Sequence, residues 1–224
     1  VEAICFDWDG TLVDSLDTFY RANAAVMREL GLPFDRSAYR RHYAPDWRLL
    51  YVRLGVPASA LEAAHERWRH HFDPAGARPF PGTRQAIATL RDAGYRLALV
   101  TATVRAVVEP QLREFGIDKL IPVRVFGDDL AVHKPDPAPL RLALQRLGLA
   151  GDASTVTYVG DAPDDMRMAR RAGVRAVGVE GLLADRGALL AAGADVVVAS
   201  VAGWVASLGL AEAGLEAGPR DRGT

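Results

Sequence analysis

Residues 1–15 read VEAICFDWDGTLVDS, and the four residues Asp7-Trp8-Asp9-Gly10 in the middle decide the fold. A short apolar run, AICF, ends in two carboxylates two residues apart, with a glycine directly behind them. Taken alone, this pattern describes a solvated turn at the end of a strand. It describes an active site only where other segments bring matching chemistry to the same place, so the other strand ends decide between the two.

Strand-sized, β-rich runs occur at residues 3–7, 95–101, 121–127, 155–160, 175–180 and 194–199. Between them lie helical patterns such as GTRQAIATLRDAG, RAVVEPQLREFG and DPAPLRLALQRLG, each closing on a glycine as helices often do. Alternating strand and helix imply an α/β fold with an open, mainly parallel sheet covered by helices. From Asp14 to about Arg78 no strand run appears, and the apolar spacing of TFYRANAAVMREL predicts helices instead. The expected organisation is an α/β core of residues 1–14 and 80–210, a small helical insertion at 15–79, and a Gly- and charge-rich tail at 211–224 that frays.

In open α/β sheets, ligands bind at the carboxyl ends of the strands. The first run ends in Asp7, the second in Thr101 and the fourth in Gly160-Asp161, while Lys134 follows the third after a polar loop. Asp7 and Asp161 offer hard anionic oxygens, which suit Mg²⁺, and the lack of Cys and His among these groups argues against zinc. Lys134 adds a point charge and Thr101 a hydroxyl, both suited to phosphoryl oxygens. Such a set stabilises a transferring phosphoryl group by position and charge. Asp7 could then attack phosphorus, and Asp9 could protonate the leaving oxygen and later take a proton from water. Gly10 would bring backbone close to the phosphate with its N–H aimed inward.

The stretch DWDGTLVDS resembles the first motif of the haloacid dehalogenase superfamily phosphatases at every fixed position. LALVT ending in Thr101 resembles the second motif, HKPDPAP with Lys134 the third, and VGDAPDDM with Asp161 and Asp165 the fourth. The resemblance implies a Rossmannoid core with a helical cap inserted after the first motif. It implies Asp7 as nucleophile, Asp9 as general acid/base and backbone ligand of Mg²⁺, and Thr101 and Lys134 as phosphate binders. Asp161 would be a metal ligand, with Asp165 supporting the metal directly or through water. Gly10, Thr11 and the backbone of Ala102 would meet the substrate.

Departures within the superfamily narrow the chemistry. Dehalogenating members lack the second Asp of the first motif, whereas Asp9 is present. Phosphonoacetaldehyde hydrolases need a cap lysine, and residues 15–80 hold none, since Lys119 and Lys134 are the only lysines in the chain. The β-phosphoglucomutase branch usually carries a histidine close behind the first motif, and SLDTFYRAN has none. FGDDLAVHKPDPAPLRLAL is most similar to phosphoglycolate phosphatases, with Ala102 where those relatives often have Asn. The expected activity is Mg²⁺-dependent hydrolysis of a small phosphomonoester through an aspartyl phosphate. A sugar phosphomutase and a non-catalytic binding protein are the alternatives.

Substrate choice falls to the insertion, where HYAPDWR (42–48) breaks the helical pattern. Trp47 and Arg48 are the candidates for contact with the leaving group. Arg21 and the pair His70-His71 read as surface residues, Asp14 as a helix cap or hinge residue, and Asp128 and Asp129 as a turn beside Lys134 or as groups that orient it. The chain carries 27 basic against 28 acidic residues and a 50% hydrophobic share, which excludes the overall positive field of a nucleic-acid or anionic-membrane binder. Cys5, the single cysteine, allows no internal disulfide and fits a reducing cytosol. The run before Asp7 is too short for a signal-peptide core, so the mature protein is expected to start here. Residues 191–210 read as a strand and a core-facing helix, not a membrane span. A small phosphorylated metabolite is the expected partner, and the chain is expected to act as a monomer or homodimer.

Overall fold

In the computed structural model, which describes residues 2–210, eight strands follow in chain order: β1 (Ala3–Phe6), β2 (Val13–Asp14), β3 (Arg78–Pro79), β4 (Arg96–Val100), β5 (Val123–Val125), β6 (Val156–Gly160), β7 (Arg175–Val179) and β8 (Val196–Val198). Six of them form one sheet in the order β5-β4-β1-β6-β7-β8, every pairing parallel. These are the six runs expected from the sequence. β1 lies between β4 and β6, with Phe6 level with Leu99 on one side and Val159 on the other. The groups just beyond these three strands therefore converge.

Ten α-helices occur among the described residues: α1 (Leu16–Glu29), α2 (Arg36–His42), α3 (Trp47–Arg53), α4 (Leu61–His71), α5 (Thr83–Asp92), α6 (Arg105–Glu114), α7 (Ala138–Arg146), α8 (Pro163–Ala172), α9 (Arg186–Ala192) and α10 (Val201–Ser207). Side chains alternate across β1 as a strand requires. Ile4, Phe6 and Trp8 enter one apolar layer with Ile87 of α5 and Leu112 of α6. Ala3 and Cys5 enter the other with Leu140 of α7 and Met168 of α8. Trp8 is fully buried, stacks on Phe115 with 6.3 Å between centroids, and donates its indole N–H to Gln111 Oε1 at 2.9 Å. Asp7 and Asp9 are thereby left on the side away from this anchor.

Helices α1 to α4 form the insertion and share an apolar cluster around Tyr39, Leu50, Tyr51 and Val56. The same cluster takes in Ala162 and Leu183 from the core, and Arg40 donates from Nε to the Leu182 carbonyl at 2.9 Å. The insertion thus rests on loops that follow β6 and β7.

One feature corrects the sequence reading. The chain leaves the core through β2 and returns through β3, and the two pair antiparallel, Val13 with Pro79 and Asp14 with Arg78. Two residues are too few to show a period-2 pattern, and a proline lowers the strand signal further. Asp14 therefore belongs to this ribbon, not to a helix cap. At the other end, residues 191–210 hold the rest of α9, β8 and α10. No helix among the described residues is long and apolar enough to cross a membrane. The stretch 211–224, expected to fray, lies outside the described residues.

The loops after β4 and β5 touch at Gly127, whose N–H donates to the Thr103 carbonyl at 3.0 Å. A Cβ there would lie 1.9 Å from the carbonyl oxygen of Ala102, a backbone atom that cannot swing aside. Gly127→Ala should lower stability by about 1–3 kcal/mol or more, read as the shift in a urea unfolding midpoint.

Candidate active site

β1 delivers Asp7 in extended conformation, and pairing continues one residue past the strand through Asp7 N–H to the Val159 carbonyl at 2.9 Å. Thr101 is held in the same way, its N–H donating to the Val125 carbonyl at 3.0 Å. Lys134 reaches in from the loop between β5 and α7. Its Nζ lies 2.6 Å from Asp7 Oδ1 and 2.8 Å from Asp165 Oδ1, and all three groups are buried.

Asp165 sits in the first turn of α8, where a carboxylate is favoured by the helix dipole. Its Oδ2 accepts the Ala162 N–H at 3.1 Å. Its Oδ1 lies 3.0 Å from the Tyr158 hydroxyl as well as against Lys134. Asp161 differs: its Oδ2 is buried and has no hydrogen-bond partner. One oxygen each from Asp7, Asp161 and Asp165 lie within 4.8 Å of one another. A buried, unpartnered carboxylate oxygen beside two other carboxylates costs several kcal/mol unless a cation joins it. The donors are all hard oxygens. The residues present therefore fit a Mg²⁺ ion.

Burial raises the pKa of Asp7 to about 7, with Lys134 opposing and Asp165 and Asp9 adding to the shift. Burial, then Asp7 and Asp165, push Asp161 well above the usual carboxylate range. Burial alone would lower Lys134, yet Asp165 and Asp7 outweigh it and hold the ammonium charged.

Asp9 occupies a separate niche. Ser15 Oγ donates to its Oδ1 and Thr103 Oγ1 to its Oδ2, each at 2.6 Å. Burial raises its pKa while these hydroxyls partly offset the rise. Both can also accept, so they suit the carboxylate and the acid alike. Thr101 Oγ1 accepts the Thr103 N–H at 3.0 Å, and its hydroxyl is a further group that offsets the rise at Asp9.

Of the expected site residues, the structure brings Asp7, Asp9, Lys134, Asp161, Asp165 and Ala102 around one cavity of about 440 Å³ between core and insertion. Trp47 lines it from α3. Other expectations need correction. The Gly10 N–H is not aimed inward; it donates to the Val13 carbonyl at 2.8 Å, because the chain turns back on itself there. What Gly10 provides is closeness to Asp161: its φ is +79°, and a Cβ would sit 2.3 Å from Asp161 Oδ2. Thr11 faces Asp7 and not the cavity, its Oγ1 donating to Asp7 Oδ2 at 3.2 Å. Arg48 turns outward, pairs with Glu62 at 2.8 Å, and lies over the Trp47 ring. One helical step from Trp47 carries it off the cavity face. Asp128 accepts the Arg105 N–H at the start of α6, and Asp129 pairs with Arg105 and Arg146, so neither orients Lys134. Arg21 pairs with Asp17 and His71 with Glu29 at the surface.

Sequence reasoning assigned no role to Ser15, Thr103 or Tyr158. A second hydroxyl in Thr101-Ala102-Thr103 was the available signal for Thr103, since alternation returns residue 103 to the face of residue 101. Tyr158 gave none, because its position reads as ordinary strand core.

The sequence pattern described as haloacid dehalogenase-like hydrolase matches residues 4–179. The chain belongs to this family. Among similar members, the plasmid-encoded phosphoglycolate phosphatase of Cupriavidus necator is 36% identical over 208 residues, covering 89% of both chains. The phosphoglycolate phosphatase of Rhodospirillum rubrum is 35% identical over 190 residues, covering 79% of this chain and 78% of that one. The crystal structure of CbbY from Rhodobacter sphaeroides in complex with phosphate superposes with a TM-score of 0.75 at 28% identity, over 90% of this chain and 95% of that one. In this family member, the acidic cluster stands at the carboxyl ends of β1 and β6, the crevice expected of the fold.

Two outcomes follow from the unpartnered Asp161. Mg²⁺ should raise the melting temperature of the EDTA-treated protein, and Asp161→Asn should raise it without metal while abolishing the Mg²⁺ response. The expected shift is about 2–4 °C per kcal/mol of repulsion relieved. Folded-state pKa values above the unfolded ones mean that the metal-free site binds protons on folding, so its contribution to stability grows as pH falls through about 7 and levels off near the unfolded carboxylate value of about 4. The stabilisation by Asp161→Asn, measured by urea unfolding in EDTA, should therefore be larger at alkaline than at mildly acidic pH.

Proposed function

We propose that the protein hydrolyses small phosphomonoesters by way of an aspartyl phosphate on Asp7. The observation that carries this reading is the pairing of Asp7 with Lys134 at 2.6 Å, with Asp9 held apart in its hydroxyl niche. One carboxylate is set against a cation and the other against two hydroxyls that can serve it as carboxylate or as acid. Two carboxyl groups with such different partners suit the roles of nucleophile and proton carrier.

In the first half-reaction, an Asp7 oxygen bonds to phosphorus as the ester P–O bond breaks, and the Asp9 proton goes to the departing alcohol oxygen. In the second, water attacks the same phosphorus, Asp9 takes the water proton, and the Asp7–phosphorus bond breaks to release phosphate. Lys134 and the Thr101 hydroxyl bind phosphoryl oxygens in both halves. Asp165, with its oxygens engaged by Lys134, Tyr158 and the Ala162 N–H, positions Lys134. Asp7, Asp161, the Asp9 carbonyl and Asp165, directly or through water, would hold Mg²⁺. Bound there, the ion offsets the repulsion between the carboxylates and an incoming phosphate.

The working division is an α/β core of residues 1–14 and 80–210 with a helical cap at 15–79. The pairing of Val13 with Pro79 and Asp14 with Arg78 at the two junctions supports it. Closure of the cap excludes water and meets the leaving group. Relatives that bear the name phosphoglycolate phosphatase support release of free phosphate over its retention by a mutase.

Turnover of p-nitrophenyl phosphate should require Mg²⁺ and vanish in EDTA. Asp7→Asn should abolish it, and Asp9→Asn should reduce kcat about 10²–10⁴-fold. An Asp7→Asn variant as active as wild type would sink the mechanism.

A further inference from the structure

The insertion closes the cavity with two kinds of surface. One is a wall of rings packed on each other, Trp47 on His65 with centroids 4.0 Å apart and His65 on Trp68 at 5.7 Å, whose stacked faces are thereby covered. The other is the end of α2. Tyr43, the residue after that helix, lines the same cavity as Asp7, Asp161, Asp165 and Lys134. Among the described residues, two side-chain polar atoms are sealed from solvent without a bond, the Tyr51 hydroxyl and Asp161 Oδ2. The Tyr43 hydroxyl likewise bonds to no described residue, yet it is not one of the sealed atoms. Tyr43 is half-buried, so its hydroxyl is open to what enters the cavity.

Tyr43 is held as a preorganised donor must be. Its ring meets the Tyr39 ring edge-on, with 5.8 Å between centroids and 89° between planes, and Tyr39 packs in turn against Tyr20 and Phe34. The Tyr43 carbonyl accepts from Arg53 Nη1 of α3 at 3.0 Å, which pins the loop between the two helices. Helix α2 itself is tied to the core by the Arg40 bond to the Leu182 carbonyl. The acidic cluster acts on the open hydroxyl. Burial first, then Tyr39, Asp161, Asp7 and Asp165, push its pKa well up, so it remains an O–H donor at working pH.

Phosphoryl transfer spreads negative charge over three equatorial oxygens. Oxygens turned toward the sheet meet Lys134 and the Thr101 hydroxyl, but one turned toward the insertion needs a donor from the insertion. Other hydroxyls around the carboxylates are engaged, Ser15 and Thr103 by Asp9, Thr11 by Asp7 and Tyr158 by Asp165. We propose that the Tyr43 hydroxyl donates a hydrogen bond to a phosphoryl oxygen of the bound substrate, which makes a residue of the insertion a catalytic residue. This rests on the phosphatase reading and adds to its site.

The test compares Tyr43→Phe with wild type on p-nitrophenyl phosphate, benzyl phosphate and glycerol 3-phosphate, with Mg²⁺. Phenylalanine keeps the ring and its contact with Tyr39, so the melting temperature should not change. The value of kcat/KM should fall about 10–10²-fold, by the same factor for each ester. A common factor separates a contact with the phosphoryl group from one with the alcohol, which differs among the three. Wild-type kinetics in Tyr43→Phe, or a loss confined to one ester, would overturn the proposal and leave the phosphatase reading standing. Calorimetric titration with inorganic phosphate and Mg²⁺ needs no turnover and no leaving group: Tyr43→Phe should bind phosphate about tenfold or more weakly than wild type. Equal affinity in the two proteins would overturn the assignment of Tyr43. Inertness of the wild-type protein toward every ester, alongside that loss of phosphate affinity, would overturn only the phosphatase reading.

Discussion

Everything around the cavity depends on one buried ammonium set among three buried carboxylates. Lys134 touches Asp7 and Asp165, while Asp161 stands beside them without a partner. Burying charge costs several kcal/mol per ion even after relaxation, and one cation cannot balance three anions. The core tolerates the imbalance because two well-packed layers hold the strand ends where they are. Stability is given up at a cluster of hard oxygens that fits a cation.

Backbone geometry enforces the crowding. Gly10 lets the chain turn close against Asp161, and Gly127 lets the loop after β5 press on the loop after β4. Trp8, between the two carboxylates of the first motif, is the counterweight. Its burial and its bond to Gln111 fix which way residues 7 and 9 face. Gln111 also donates from Nε2 to the Pro74 carbonyl at 3.2 Å, so the same side chain touches the motif anchor and the segment that leads back from the insertion.

The sheet was legible in the sequence because buried parallel strands are continuous apolar runs bounded by turn residues, and each of the six kept its place. Asp7 and Asp161 were legible for the same reason, since topology gathers such strand ends, and Lys134 on the loop after the third run meets them at the same cavity. The β2–β3 ribbon was not, being shorter than any periodicity. Nor could spacing say where the Gly10 N–H would point, because that depends on a turn closed by Val13. In the insertion, pattern separated helices from strands but not the cavity face from the solvent face: Trp47 and Arg48 are neighbours in sequence and face different surroundings. His65, a polar residue in a polar stretch, gave no sign of the stack it joins.

The ribbon carries a further consequence. Because the insertion leaves and rejoins the core through two strands that lie side by side, its ends are close enough to be spliced onto another helical segment without stretching the catalytic framework. Residues between the strands of that ribbon can thus be exchanged as a block while the acidic crevice keeps its place at the ends of β1 and β6.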